Sequence, residues 1–231
     1  MTIKNCLPVA IVIALSISQA AQADFMGAID GRSSGLSDQS DLSVEINANS
    51  FGEEFQWAGM RVNYKVSDSL AVFADVSKVE AGTVPLNDVL TSDYAGQAFG
   101  AGVVFEMNDM LSGFNTSFKG SYHTATLPDV SELTYQGQPT ETDLELGAIS
   151  AKFLLSPTEP LLDNGLSWYA ALGYSKIETK IAGPEDLEFE DVAGFTGAAG
   201  LVLPLSFGDM YLGVETLDGE RLAGGGIRFA F

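Results

Sequence analysis

The last eleven residues, Arg221 to Phe231, alternate between two kinds of side chain. Phe231, Phe229 and Ile227 fall on one side of an extended strand, because a strand repeats every two residues, and Arg228 falls on the other. An exposed apolar edge strand of this kind promotes aggregation in a soluble protein. Closure of a barrel removes the edge, and only helices and closed barrels satisfy their backbone groups in lipid. The ending therefore predicts the closing strand of a membrane β-barrel.

This ending resembles the C-terminal signal of Gram-negative outer-membrane β-barrels, in which a last alternating strand finishes on an aromatic residue. The resemblance implies a small outer-membrane barrel, OmpA-like or porin-like, without an appended periplasmic domain. It assigns Ile227, Phe229 and Phe231 to an assembly signal that the barrel assembly machinery binds. The other expected partners are the lipid and the lipopolysaccharide of the outer membrane.

The first twenty-three residues have the layout of a secretory signal peptide. Lys4 is their only charge, residues 7–17 are apolar, and Ala21-Gln22-Ala23 matches an A-x-A cleavage pattern. We expect cleavage after Ala23 and export to the cell outer membrane, with 24–41 as a flexible lead-in and 42–231 as the barrel. Cys6 would leave with the signal, so the mature chain would contain neither a disulfide nor a thiolate metal site.

The charge of the chain excludes one class of partner. Without Lys4, ten basic and thirty-one acidic residues remain, a net charge of −21. Such an acidic protein would be repelled by the phosphates of nucleic acid. No later apolar run reaches the roughly 20 residues of a transmembrane helix, so a membrane protein would have to cross with strands.

Alternation recurs along the whole mature chain and predicts an all-β, up-and-down antiparallel transmembrane barrel of about ten strands, with eight as the alternative. A soluble β-sandwich also alternates, but its outward faces should be highly charged. Here the polar faces carry mainly Gly, Ser, Thr and Asn. The predicted strands are about Leu42–Ser50, Phe55–Val66, Leu70–Glu80, Ala95–Glu106, Phe114–His123, Asp143–Leu155, Gly165–Lys180, Val192–Leu203, Met210–Thr216 and Arg221–Phe231.

The predicted connections differ in length in the way that outer-membrane barrels require. Those after strands 2, 4, 6 and 8 are short, whereas 81–94, 126–142 and 181–191 are long and polar. Short periplasmic turns and long external loops place both ends of the barrel on the periplasmic side. Aromatic residues should then form a girdle at the periplasmic interface, from Tyr64, Phe105, Phe153, Trp168, Phe229 and Phe231.

The inward faces carry charges of both signs. Because a barrel of this size is usually filled by its own side chains, opposite charges should pair in its lumen. We therefore expect a structural charge network; the alternative is a constriction that selects ions in a small-solute porin. The predicted network consists of Glu45, Arg61, Lys65, Asp75, Glu106, Lys119, Lys152, Glu215 and Arg228.

The sequence indicates a structural or surface role without catalytic, cofactor-binding or metal-binding residues. His123, the only histidine, would be a candidate general base near the external rim. It lacks the neighbouring serine that outer-membrane deacylases use, so a lipid-modifying enzyme or a protease is disfavoured. The acidic loops at 141–145 and 185–191 suggest weak binding of divalent cations through oxygen ligands, although they lack EF-hand spacing.

Overall fold

A computed structural model describes residues 41–51, 55–85, 91–107, 110–128, 134–135, 138–139, 143–182, 187–188, 191–217 and 220–231. The predicted signal peptide and the lead-in up to residue 40 lie outside the described residues, as do large parts of both acidic loops. Among the described residues, no helix is long and apolar enough to cross a membrane.

Ten long strands follow one another along the chain, each 10 to 16 residues in length. They are β1 (Leu42–Phe51), β2 (Phe55–Ser67), β3 (Leu70–Pro85), β4 (Thr91–Glu106), β5 (Phe114–Pro128), β6 (Asp143–Pro157), β7 (Ser167–Ala182), β8 (Val192–Leu205), β9 (Gly208–Leu217) and β10 (Glu220–Ala230). Two-residue strands at 134–135, 138–139 and 187–188 lie in the long connections.

The ten strands form a closed barrel in which every strand is antiparallel to both neighbours. Closure comes from β1 and β10, which pair from Ser43 opposite Ala230 to Phe51 opposite Leu222. The last residue continues the pairing, since the backbone N–H of Phe231 donates to the carbonyl of Leu42 at 3.0 Å. The predicted fold class and the count of ten strands are thus confirmed, and the closing role of the last strand removes the open edge.

The barrel has two ends, which we call the turn end and the loop end. The turn end contains the start of β1 and the end of β10, whereas the loop end contains the long connections. The predicted long loops 81–94 and 126–142 are longer than the actual connections, because β-pairing continues beyond residues 81 and 126, where the loops were predicted to begin. Val84 still pairs with Ser92, and Leu127 with Leu144, so backbone hydrogen bonds carry the sheet further than the sequence pattern indicated.

The outer wall of the turn-end half is apolar. We call this zone the apolar belt; its exposed side chains include Ile46, Met60, Tyr64, Val72, Val76, Phe99, Val103, Phe105, Phe118, Tyr122, Ile149, Leu172, Tyr174, Phe195, Leu201, Leu212, Val214 and Ile227. On β6 the outward apolar positions run from Ile149 to Pro157, a span of eight residue steps, or roughly 20 Å at a typical strand rise and tilt. A soluble barrel or sandwich would bury these residues, so the soluble alternative is wrong and the protein is a membrane β-barrel.

Toward the loop end the polarity of the strands inverts. On β3, Val76 faces outward in the belt, but the next outward residues are Lys78 and Glu80 while Val79 and Ala81 are buried inside. The same switch occurs on β6 and β7. The loop-end part of the barrel is therefore built like a soluble barrel, polar outside and apolar inside, and the switch marks the edge of the lipid-facing zone.

Candidate functional site: the barrel lumen

An apolar cluster fills the loop-end part of the lumen. Its inward side chains come from most strands of the barrel, contact one another and are each at most 6% exposed. It continues toward the turn end along β7, β8 and β9. We call this cluster the apolar layer; it comprises Trp57, Val79, Ala81, Tyr94, Ala98, Ala125, Leu127, Leu144, Leu146, Ala148, Tyr169, Ile177, Ile181, Val202, Tyr211 and Leu222.

A first charged group joins β2, β3 and β5. The guanidinium of Arg61 donates to both carboxylate oxygens of Asp75, from Nε at 2.7 Å and from Nη2 at 2.9 Å. The Nε2 atom of His123 lies 2.8 Å from Asp75 Oδ2, and Arg61 also stacks 4.1 Å from the ring centroid of Phe73. The two hydrogen bonds to one carboxylate and the stacking on Phe73 satisfy the buried guanidinium.

His123 reaches Asp75 because the strand between them carries glycine. Gly100 lies opposite His123 on β4, and a Cβ atom at Gly100 would overlap the imidazole ring. The imidazole therefore occupies the space that a side chain at residue 100 would take. It is 2% exposed and lies five residues before Pro128, where β5 ends, so the expected position near the external rim is wrong.

A second charged group joins β6, β8 and β9. The ammonium of Lys152 forms an ion pair with Glu215, and both side chains have no exposed surface. Thr196 on β8 donates from Oγ1 to Glu215 Oε1 at 2.9 Å. Lys152 can cross β7 because Gly173 lies opposite it, where a Cβ would meet the lysine stem at 2.7 Å. The pair thus braces strands that are not neighbours in the sheet.

A third charged group lies at the seam where the barrel closes. Arg228 on β10 forms an ion pair with Asp209 on β9, and its Nη1 atom lies 3.8 Å from Glu45 Oε1 on β1. Asn63 on β2 donates from Nδ2 to the same Glu45 oxygen at 3.1 Å. Four consecutive strands around the closure, from β9 to β2, are therefore joined by side chains as well as by backbone.

The remaining predicted charges lie nearer the turn end. Lys65 forms an ion pair with Asp68 in the β2–β3 turn at 3.0 Å. Glu106 and Lys119 are buried on the adjacent strands β4 and β5, and the Lys119 ammonium lies 5.2 Å from the ring centroid of Phe73. With Asp209 added to the predicted set, the inward groups comprise five bases and five acids, so the charges balance without His123.

Sequence reasoning missed three features of the lumen. It did not find Asp209 or Thr196, because single polar residues at inward positions look alike until their partners are known. It also missed the apolar layer, including Trp57. The signal for that layer was the inversion of polarity on β3, β6 and β7, where the inward positions become apolar as the outward ones become charged.

The residues of the predicted assembly signal lie on the outer wall at the seam. Ile227 pairs with Ile46 on β1 and with Met210 on β9, all facing outward. Phe229 stacks on Phe207 with ring centroids 5.5 Å apart. Phe231 is 73% exposed at the turn end, in the interfacial position that aromatic residues favour.

Comparisons with known proteins agree in architecture only. No protein-family model and no curated protein matches the chain. Similar solved structures include the translocator domain of autotransporter NalP from Neisseria meningitidis, at 11% identity and a TM-score of 0.49, covering 84% of this chain and 90% of that one. The KdgM porin covers 82% and 99% at 8% identity and a TM-score of 0.34. OmpF of Salmonella typhi, in a complex with daunomycin, covers 83% and 97% at 8% identity and a TM-score of 0.18. These values establish neither a family nor a function.

Proposed function

We propose that the protein is an integral outer-membrane barrel with a structural or surface role and a sealed lumen. One observation carries the proposal: the inward side chains of the lumen are almost completely buried by one another. Glu215 and Leu222 each have no accessible surface, and Lys152 has 1%. Water and ions need a continuous polar path to cross a barrel, and the apolar layer interrupts it.

The charge pattern also supports a sealed barrel over a selective channel. A charge-selective constriction presents one sign of charge to the passing ion. Here each of the three charged groups contains both signs, as in the pairs of Arg61 with Asp75 and Lys152 with Glu215. Such groups offer little free charge to a solute, and they stabilise the lumen against the cost of burying single ions.

A small-solute channel is the second candidate, favoured by one observation. The hydroxyls of Ser117 and Ser175 are buried and accept or donate no hydrogen bond among the residues that the structure describes. Buried hydroxyls of this kind usually hold water. A water-containing polar region on the turn-end side of the apolar layer would form one part of a permeation path. Movement of the apolar layer would then open the remaining part.

An enzymatic role is disfavoured in this proposal. His123, the only histidine, is 2% exposed and its Nε2 atom is engaged by Asp75. A general base has to reach the proton that it abstracts, directly or through one water. No group of three or more His, Cys, Asp or Glu in the described part of the chain could hold a metal ion. Divalent binding by the acidic loops stays a prediction, since half of their twelve residues lie outside the described ones.

Localisation and permeability test the proposal together. Cell fractionation should recover the mature chain, beginning at Asp24, in the outer membrane, with a gel mobility that changes on heating as barrels unfold. Proteoliposomes should not swell in small sugars or amino acids. Recovery in the soluble periplasm would refute the membrane role, whereas swelling at the rate of a porin would replace the sealed barrel by the channel. Lipid, lipopolysaccharide and the assembly machinery are the proposed partners.

A further inference from the structure

The outer wall carries a polar groove just beyond the apolar belt on the loop-end side. It has a volume of about 430 Å³, within the usual range of small-ligand sites. We call it the β5–β7 groove. Its lining includes Thr124, Thr126, Glu145, Gly147, Glu178 and Lys180.

Strand register explains why the wall is hollow at this place. Gly147 on β6 lies between Thr124 on β5 and Glu178 on β7, so the central position of this row has no side chain. A Cβ atom at Gly147 would meet nothing within 4 Å. One row toward the loop end, Glu145 lies between Thr126 and Lys180. The glycine is therefore the floor, and hydroxyls and charges form the walls.

The groove adjoins the zone that lipid occupies. One row toward the turn end, Tyr122, Ile149 and Lys176 lie on the same three strands, and the first two belong to the apolar belt. A molecule seated in the groove would thus have polar contacts above and an apolar wall directly below. That arrangement suits an amphipathic molecule whose headgroup lies at the interface, namely a membrane lipid.

The charges of the groove select the kind of headgroup. Lys176 pairs with Glu178 at 2.6 Å and with Asp191, another lining residue, at 2.8 Å. Glu145 forms no hydrogen bond or ion pair with any residue that the structure describes. Among the described residues, these carboxylates do not form a group of three or more that could hold a metal ion. They are spread around a wider rim, which fits an organic ammonium better than a metal ion.

We propose that the β5–β7 groove binds a lipid headgroup that carries a primary ammonium beside a phosphate. Its ammonium would donate hydrogen bonds to Glu145 and to the hydroxyls of Thr124 and Thr126, and its phosphate would lie on the β7 side of the groove. The same chemistry occurs in a phosphoethanolamine phospholipid and in a saccharide lipid that bears phosphoethanolamine groups. The proposal rests on the lipid-facing belt and does not depend on whether the lumen conducts.

The test uses the full mature chain, delipidated in detergent and titrated with short-chain lipids under native mass spectrometry. Wild type should retain one dihexanoyl phosphatidylethanolamine with an affinity about fivefold or more above that for the choline and glycerol analogues. Trimethylated choline cannot donate hydrogen bonds, and glycerol lacks the cation. A second arm uses lipopolysaccharide with and without phosphoethanolamine groups, and the arm that binds more tightly identifies the source.

A matched pair of variants locates the binding. Gly147→Val fills the floor of the groove and should abolish the preference for the ethanolamine headgroup. Gly120→Val makes the same change at another outward glycine with open space, within the belt, and should leave the preference intact. Both should keep heat-modifiable mobility, which shows that they fold. Equal retention of choline and ethanolamine lipids by wild type, or an unchanged preference in Gly147→Val, would overturn the proposal.

Discussion

The buried pair of Lys152 and Glu215 offers a sharp prediction about stability. Lys152→Met removes the cation and leaves the negatively charged Glu215 carboxylate in the lumen, where the Thr196 hydroxyl still donates to it. Both side chains of the pair have no exposed surface, so water cannot screen the loss. Breaking a fully buried ion pair by removing one partner costs about 3–5 kcal/mol. The free energy of unfolding in lipid should fall by about that amount.

Urea unfolding of the barrel in lipid vesicles measures this loss. Trp57 lies in the apolar layer with 3% exposure, so its fluorescence reports the opening of the lumen. With a denaturant dependence of roughly 3 kcal/mol per M, the midpoint should fall by roughly 1 to 1.7 M. As a control, Lys78→Met removes an exposed pair with Glu80 and should leave the midpoint unchanged.

The double variant separates a charge effect from a packing effect. In Lys152→Met/Glu215→Gln the amide oxygen still accepts from Thr196, and no buried charge is left without its opposite. Its free energy of unfolding should exceed that of Lys152→Met alone by about 2 kcal/mol or more, since the effects of substitutions at contacting residues are strongly coupled. Additive losses from the two single changes would refute the account of the lumen as a set of paired charges.

Three further changes test the wall, the fit of the lumen and the end of the chain. Gly100→Ala should cost about 1–3 kcal/mol by overlap with the His123 ring, and Gly100→Ala/His123→Ala should recover part of it in urea unfolding. Val103→Lys, inside the apolar belt, should cost about 2–4 kcal/mol in lipid, whereas Gln97→Lys beyond the belt should cost little, and equal costs would argue against the belt. Deletion of Phe231 should lower the yield of inserted barrel in a vesicle assembly assay, and normal insertion would contradict its role as an assembly signal.

The sequence predicted the strands well where lipid constrains them. Outward positions such as Phe99, Val103 and Phe105 have to be apolar, so alternation on β4 is clear. It fades beyond the belt, where Thr91 and Ser92 still pair with β3. There the backbone hydrogen bonds persist without an apolar outer face, and the predicted loops began too early for that reason.

Charge partners in the lumen were not predictable from parity alone. Parity placed Lys152 and Glu215 inside, but their pairing passes over β7 and depends on Gly173 lying opposite the lysine. The pairing of His123 with Asp75 similarly passes over Gly100. Inward glycines therefore decide which large side chains can lie across the wall, and that information requires the register.

Single-channel recording tests the sealed lumen most directly. Wild-type protein in planar bilayers should give rare openings of low conductance, because the apolar layer closes the loop-end part of the lumen. A variant with Trp57, Tyr94 and Leu127 all changed to alanine empties part of that layer and should conduct more often, which shows that the assay detects an open barrel. Large, stable, voltage-independent channels from the wild-type protein would contradict the account.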